Sequence, residues 1–572
     1  MRRQHLLSAT LLGLSFSLLG CLKDGEDGTP GDKGDPGVAP TNGIELRFLG
    51  RYQHKDGSGT AVFDAGAAEI PAYDPLSKRL VVVNAVQGAV DVLNAADPTA
   101  LTLIQTVDVG ALVETARSLT ANSLGGVNSV SIRGGVAAVA IEATIKTDPG
   151  YVAFIDCATL ALRGSAPVGA LPDMVTFTAD GKYVLTADEG EPSANYAANP
   201  AGTVSIINIS GGFNAPTVTT AGFTAWDAAG ARVGEVAGLT AAGLRFNTVT
   251  GATATFSQDM EPEYITVSAD SKTAYVTLQE ANSIAVVDIG TATVSSILPL
   301  GFKDHGIAGN ELDVSDRDLD GSAGQINIRT WPGLVGAFMP DTIASYQAGG
   351  QTYLVTANEG DGRDYGNATF EDEITVANLV VAQGALTGRL LGQESNDKLG
   401  RLTVLKDLST TSRLVAFGAR SFTIWSTSGT RIWDSGSEIE RQIANRYPAN
   451  FNASSTTNAL DNRSDNKGPE PEGVAIGTIG QQTYAFIGLE RIGGVMVYDI
   501  TNPQAPRYVS YRNDRNFNQT PAAGAGGDLA PEGLQFIPAA NSPTGKDLLV
   551  VGNETSGTTV VYRVADLLAA DG

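Results

Sequence analysis

Short runs in which apolar and polar residues nearly alternate recur along the chain, and each is followed by a turn and a second such run. The clearest case is LPDMVTFTADGKYVLTADEGEP, residues 171–192. VTFTAD and YVLTAD alternate with a period of two and are rich in β-branched residues, which predicts two strands. ADGK between them predicts a hairpin turn. The same order of acid after proline, strand, turn, strand and acidic end returns at residues 261–282, 339–362 and 470–494. It returns more loosely at 530–557, with fainter copies at 68–88 and 127–143. Third strands follow several units (GAVDVL after Gln87, SIAVVDIG after Asn282, GVMVYDI after Gly493), and RYVSYRN at 507–513 reads as a fourth. A strand-rich unit repeated at this size predicts an all-β fold, a β-propeller of seven or eight four-stranded blades with loop insertions.

The blade count turns on RLVAFGARSFTIWSTSGTRIWDSG, residues 413–436, which reads as three strands with no recognisable first strand. Taken as its own unit it gives eight blades; merged with its neighbour it gives seven. Trp425 and Trp433 in this stretch suit either a sugar-stacking platform or core packing, the commoner fate of such residues. IELRFLGRYQ at 44–53 reads as a lone strand. Beside TTVVYRV at 558–564 it would complete the last blade and close the ring, abolishing its edge. Insertions interrupt the repeats at 211–258 and 302–338, and helical spacing occurs near FEDEITVANLVV and in EIERQIANRY (438–447).

The acids of the repeat carry the candidate chemistry. In a hairpin, the start of the first strand and the end of the second lie at one edge of the sheet. Glu69, Asn128, Asp173, Glu263, Asp341, Glu472 and Glu532 open the first strands. Glu142, Glu189, Glu280, Glu359, Glu490 and Glu554 close the second, with Asn84 and Gln87 in the first copy. If the first strands line a central channel, one face carries two concentric rings of carboxylates. Such rings repel unless cations or hydrogen bonds offset the charge, and hard oxygen ligands in this number suit Ca²⁺. Turn capping by each acid is the alternative. A separate stretch, ELDVSDRDLDGSAGQINI, places Asp316, Asp318, Asp320 and Gly321 as in the opening of a DxDxDG calcium loop. Asn327 stands where an EF-hand needs glutamate, and no flanking helices are predicted. A calcium loop of another kind and a solvated acidic loop both remain open.

A net charge of −24 argues against nucleic acid and anionic membrane surfaces as partners and agrees with cation binding. The 67 glycines fit turn-rich β structure, and two cysteines exclude a disulfide framework. Cys157 reads as a small buried hydrophobe on a strand. MRRQHLLSATLLGLSFSLLGC has the basic start and short apolar run of a secretory signal. Leu18 to Cys21 resembles the bacterial lipobox, which implies a lipoprotein signal peptide over 1–20 and a lipidated Cys21. Leu22 is not the aspartate of an inner-membrane retention signal, so an exported, lipid-anchored protein of the outer membrane is expected in a two-membrane bacterium. GEDGTPGDKGDPG, within 21–43, carries glycine every third residue in the collagen manner, but so few triplets serve as a spacer. The propeller is then expected over 44–572.

GPEPEGVAIG, YAFIGLERIGGVMVYDITNP, TANEGDGRDY and SFTIWSTSGTRIWDSG together resemble the choice-of-anchor I family of secreted bacterial propeller domains, which are similar also to mesenchyme-specific cell-surface glycoproteins. The resemblance covers nearly everything after Gly43 and implies a YVTN/WD40-like propeller with variable surface attachment. It implies no single activity, and no catalytic residues are carried over. Two functions stay in view. One is a membrane-anchored surface module that binds a protein, glycan or mineral ion. The other is a calcium-dependent phosphoesterase resembling propeller phytases or alkaline phosphatases, with Glu263, Asp341, Glu359, Glu472, Glu490 and Glu532 as ligands. Arg363 and Arg491 would then meet phosphate, or simply pair with neighbouring carboxylates. Only His54 and His305 follow the signal, so a three-histidine metal site cannot be built. A Ser-His-Asp triad would have to use one of those two.

Overall fold

The computed structural model describes residues 43–567 except 247–253, 320, 322 and 523. The signal peptide, Cys21, the collagen-like spacer and Asp320 therefore lie outside the described residues. Seven four-stranded antiparallel sheets account for the repeats. In chain order they occupy residues 71–107, 124–170, 172–222, 262–299, 343–434, 471–512 and 531–566, and are numbered here blades 1 to 7. The first strand of each blade packs against the first strand of the next, and that of blade 7 against that of blade 1, so the ring is closed. Strand Ile44–Gln53 is the outer strand of blade 7, antiparallel to Thr558–Asp566, as the sequence predicts. N- and C-terminal segments thus share one sheet, and no blade edge is left between them.

The second strand of each blade explains why the repeat is so apolar. In Arg79–Asn84 every residue after the first is buried. Its side chains alternate between two neighbours. Leu80 and Val82 enter a core shared with blade 7, whereas Val81 and Val83 enter one shared with blade 2. Seven such inter-blade cores run round the ring. Burying one Val, Leu or Ile is worth about 1.5–3 kcal/mol. The ring therefore holds by contacts that each blade makes twice.

Blade 5 resolves the count at seven. Its strands Ile343–Ala348 and Gln351–Asn358 pair with Ser421–Ser426 and Arg431–Asp434, across a long excursion. Leu414–Ala416, the first of the three strands read at 413–436, belongs elsewhere. It joins 302–304, 334–337, 373–375 and 403–405 in a five-stranded accessory sheet, pairing parallel to Leu334–Ala337. This sheet has its own cores under helix Val376–Gln383. Trp425 is buried against Phe338, with ring centroids 5.0 Å apart, and its Nε1 donates to Thr356 Oγ1 at 2.9 Å. Trp433 packs on Phe422 at 5.1 Å. Both tryptophans thus serve packing, and helix Glu438–Arg446 lies where helical spacing placed one.

Candidate metal centre

Five blades start their first strand in one unusual way. The residue before the proline has a left-handed backbone in every case: Leu171 (φ 50°), Glu261 (38°), Met339 (43°), Glu470 (50°) and Ala530 (59°). Only a few per cent of non-glycine residues adopt this region, and such strain collects at functional sites. Pairing then slips by a bulge just past the proline in blades 3, 4, 6 and 7. A bulge re-aims a side chain. Here the side chain is the acid that follows the proline.

The carbonyl of the left-handed residue is also used. The carbonyls of Leu171, Glu470 and Ala530 accept from the backbone N–H groups of Glu189, Glu490 and Glu554, at 2.9, 2.9 and 2.8 Å. In blade 5 Gly360, next to Glu359, donates to Met339 at 3.0 Å. The acid that closes the second strand is thereby fixed beside the acid that opens the first. Glycine after the acid lets the next blade crowd in. A Cβ on Gly473 would stand 2.1 Å from the carbonyl oxygen of Glu532, and one on Gly533 would stand 2.6 Å from that of Glu69.

The result is two equivalent groups. Asp173 and Glu189 of blade 3 meet Glu263 of blade 4, and Asp341 and Glu359 of blade 5 meet Glu472 of blade 6, each with one oxygen per residue within 4.8 Å of the others. A third group joins Glu359, Glu470 and Glu490. Asn128, Asp173, Tyr264, Asp341 and Glu532, from five different blades, line one cavity of about 40 Å³ on the axis. A wider acidic cavity of about 490 Å³ is lined by Glu189, Glu263, Glu280, Asp361, Tyr365 and Glu373. The first strands therefore do line a central channel, and the predicted acids face it from both rings. Glu280 and Glu554 lie at the corresponding strand ends of blades 4 and 7. No oxygen of either falls within those three-residue groups.

Several of these carboxylates keep one oxygen without a partner. Glu263 Oε2, Glu472 Oε2, Glu490 Oε2 and Glu532 Oε2 are buried without a hydrogen-bond partner. Burial first, and then neighbouring acids, push Glu69 up to about 9 and Asp173 to about 7. The same causes hold Glu189, Glu263, Glu280, Asp341, Glu472, Glu490 and Glu532 well above the ordinary carboxylate range. Glu359 and Glu554 are raised mainly by burial.

Cations of the protein do reach one side. Glu470 accepts from Arg463 at 2.5 Å and Arg491 at 2.8 Å and lies 3.3 Å from Lys467. Burial works to raise it, but Lys467, Arg463 and Arg491 overcome that and hold it at about 2. Lys467 also pairs with Asp361, and Arg491 with Glu490, both at 2.5 Å. Arg363 is buried against Glu261 at 2.9 Å. Arg363 and Arg491 are thus committed to carboxylates, the simpler of their two readings.

Other sequence candidates sort out by position. Asp316 pairs with Arg317 at 2.5 Å and with Arg401. Asp318 instead gathers with Asp313 and Asp461. The DxDxDG stretch therefore does not bring Asp316 and Asp318 to one point. His54 Nδ1 lies 2.7 Å from Asp91 and its Nε2 2.8 Å from Thr559 Oγ1. This constellation has the parts of a triad, but all three residues are sealed from solvent and tie blade 7 to blade 1. His305 is buried too, and burial pushes it down to about 3. Glu261 and Glu470 were not singled out by sequence, although each stands directly before the proline of its repeat. Asp461 and Lys467 carry no local signal, because their partners come from segments far along the chain; Asp313 lies in the acidic stretch at 311–328 but outside its DxDxDG spacing.

Ring, channel and acid pairs define a closed seven-bladed propeller with a carboxylate-lined axis. The sequence model of the choice-of-anchor I domain matches residues 69–503, and the chain belongs to the choice-of-anchor I family, whose members are surface proteins. Gigasin-3a of Magallana gigas is 32% identical over 187 residues, 30% of this chain and 66% of that protein. The mesenchyme-specific cell surface glycoprotein of Strongylocentrotus purpuratus is 27% identical over 298 residues, 46% of this chain and 37% of that protein. The matched stretches thus leave a third of the first relative and well over half of the second uncovered. Among solved structures, Kuenenia stuttgartiensis hydrazine synthase superposes with a TM-score of 0.42 at 12% identity, covering 90% of this chain and 100% of that chain. The Cps50 (Swd1) β-propeller domain of Myceliophteria thermophila gives 0.43 at 7%, covering 91% and 100%. The closed ring of seven four-stranded sheets by itself makes the chain a propeller.

Proposed function

We propose that this surface propeller is a calcium-dependent binding module whose channel acids hold the ion. The observation that carries the reading is the repeated trio. Two acids of one blade and the first-strand acid of the next converge twice in the ring, with buried carboxylate oxygens left unpartnered. Asp173, Glu189 and Glu263 would hold one ion, and Asp341, Glu359 and Glu472 another. Oxygens around one Ca²⁺ at 2.3–2.6 Å stand at most about 5 Å apart, which agrees with the spread of each trio. Bound calcium would add positive charge to these carboxylates, of which Glu359 also has Lys467 at 3.5 Å. It would also join neighbouring blades across the axis, giving a rigid face for a protein or glycan partner. Lipid on Cys21 and the collagen-like spacer would hold that face away from the membrane, the outer membrane in a two-membrane cell.

Thermal melts of the protein with EDTA and with excess Ca²⁺ test this reading, each sample assayed for phosphate release from a phosphomonoester and from phytate. A calcium-dependent melt without turnover is expected. Turnover would favour the phosphoesterase, and a melt indifferent to calcium would return the acids to turn capping.

A further inference from the structure

Away from the channel, Asp313 and Asp318 lie in the insertion that follows blade 4, and Asp461 lies in the segment that leads into blade 6. We propose that these three aspartates form a separate cation site, taking one calcium ion that ties the insertion to that segment. One oxygen from each lies within 4.8 Å of the others, the spread that a single Ca²⁺ allows. The donors are all hard oxygens, which suit calcium and exclude a soft-ligand metal.

A second observation points to a ligand. Asp461 is 0% exposed, yet its Oδ2 has no hydrogen-bond partner, and neither has buried Oδ2 of Asp318. The other oxygens are held by the protein. Asn327 donates its backbone N–H to Asp313 Oδ2 at 2.5 Å and its side-chain amide to Asp318 Oδ1 at 2.8 Å. Ser464 Oγ donates to Asp461 Oδ1. Asp318 and Asp461 are thus each oriented through Oδ1 while their Oδ2 atoms are left over, and Asp313 accepts at both oxygens, its Oδ1 from the backbone N–H of Ser315 at 3.4 Å. Asn327 holds the ligands, although its side chain cannot be the missing glutamate of an EF-hand. The insertion also closes tightly over the site, since a Cβ on Gly324 would stand 2.6 Å from Asp461 Oδ2.

Among the described residues no ion pair reaches Asp313, Asp318 or Asp461. Arg420, the neighbouring guanidinium, spends itself on Glu440 Oε1 at 2.8 Å and on backbone carbonyls of Asp313, Ser464 and Asn466. Arg329 acts on Asp318 through its charge, without an ion pair among the described residues. Left without an ion, burial and then the neighbouring acids push Asp313 up to about 8, and burial with Asp313 pushes Asp461 to about 9. The competing occupant is therefore a proton shared between Asp318 and Asp461.

Calcium content after incubation with Ca²⁺ and desalting decides between them, measured by mass spectrometry on the unmodified protein and on Asp461→Asn and Asp318→Asn. Each variant is expected to carry one ion fewer per chain, while Glu263→Gln leaves this ion in place. An unchanged count in a folded variant overturns the proposal. If Asp461→Asn fails to fold, Asp318→Asn, at the less buried of the two positions, is decisive. Crystals of the unmodified protein soaked in terbium need no variant: an anomalous peak among the three aspartates is expected, and its absence overturns the site in favour of the shared proton.

Discussion

Glu189 donates its backbone N–H to the carbonyl of Leu171 at 2.9 Å, and Leu171 holds that carbonyl in place with a left-handed backbone of φ 50°. This bond fixes Glu189 beside Asp173, two residues past Leu171. Asp173 then meets Glu263 of the next blade. Strain in the backbone, an inter-strand bond and a pair of acids are one unit, repeated with small changes round the ring. What the unit does depends on how its charge is balanced.

Without calcium, stability should fall as pH rises. Glu69 and Asp173 titrate near 9 and 7 in the folded protein, against 4.5 and 3.8 for free groups. Between those limits the folded chain holds protons that the unfolded chain has released, so stability declines with rising pH. The midpoint of unfolding in EDTA is expected to drop from pH 5 to pH 9. Saturating Ca²⁺ should lessen the drop, because Asp173 would then face an ion, with a gain of about 2.7 kcal/mol per ion at a hundred times Kd. A flat pH profile in EDTA would contradict the uncompensated ring.

Glu263→Gln and Glu472→Gln separate repulsion from binding. Each removes one carboxylate from a trio and keeps its shape. In EDTA at pH 8 each variant is expected to melt above the unmodified protein, by on the order of 1 kcal/mol. In excess Ca²⁺ the order should reverse, because a ligand is gone. Paired melts read both signs in one experiment, and calcium stabilisation equal to that of the unmodified protein would remove these residues from the ligand set.

The architecture was legible in the sequence because every blade repeats the same period-two pattern and buries both faces of its second strand. The acids were legible for the same reason: a Pro-acid opening and an acid at the second strand's end recur at fixed spacing. The eight-blade count stayed open because Leu414–Ala416 looks like any blade strand, and only its parallel pairing with Leu334–Ala337 assigns it to the accessory sheet. Asp461 and Lys467 were invisible for another reason. Their partners come from distant loops, and no local period marks a residue whose role is set by tertiary packing.

Closure by the N-terminal strand should carry much of the stability. Leu46 is buried in the core that blade 7 shares with blade 6. Leu46→Ala is expected to cost about 2–5 kcal/mol. The loss should appear first as proteolytic cleavage between the described start of the chain and blade 1, because the outer strand frays before the ring opens. Limited proteolysis with mass mapping checks this; cleavage beginning in the accessory sheet instead would show that closure is not the weak point.

Glu470 is the opposite case to its neighbours, and replacing it should do the opposite. Lys467, Arg463 and Arg491 all converge on it. Glu470→Gln keeps the shape but leaves three partly buried cations facing one neutral amide. Breaking a buried pair by removing one partner costs about 3–5 kcal/mol. Burial raises this group, yet the three cations hold it down at about 2, below the free value of 4.5. Its stabilisation is therefore complete above pH 4.5 and lost as pH falls toward 2. Denaturant melts of the two proteins should differ most at pH 7 and converge near pH 2. Added calcium should not rescue the variant, because a cation cannot replace a missing anion. Equal stability at pH 7 would mean that Glu359, Asp361 and Glu490 balance those cations without it.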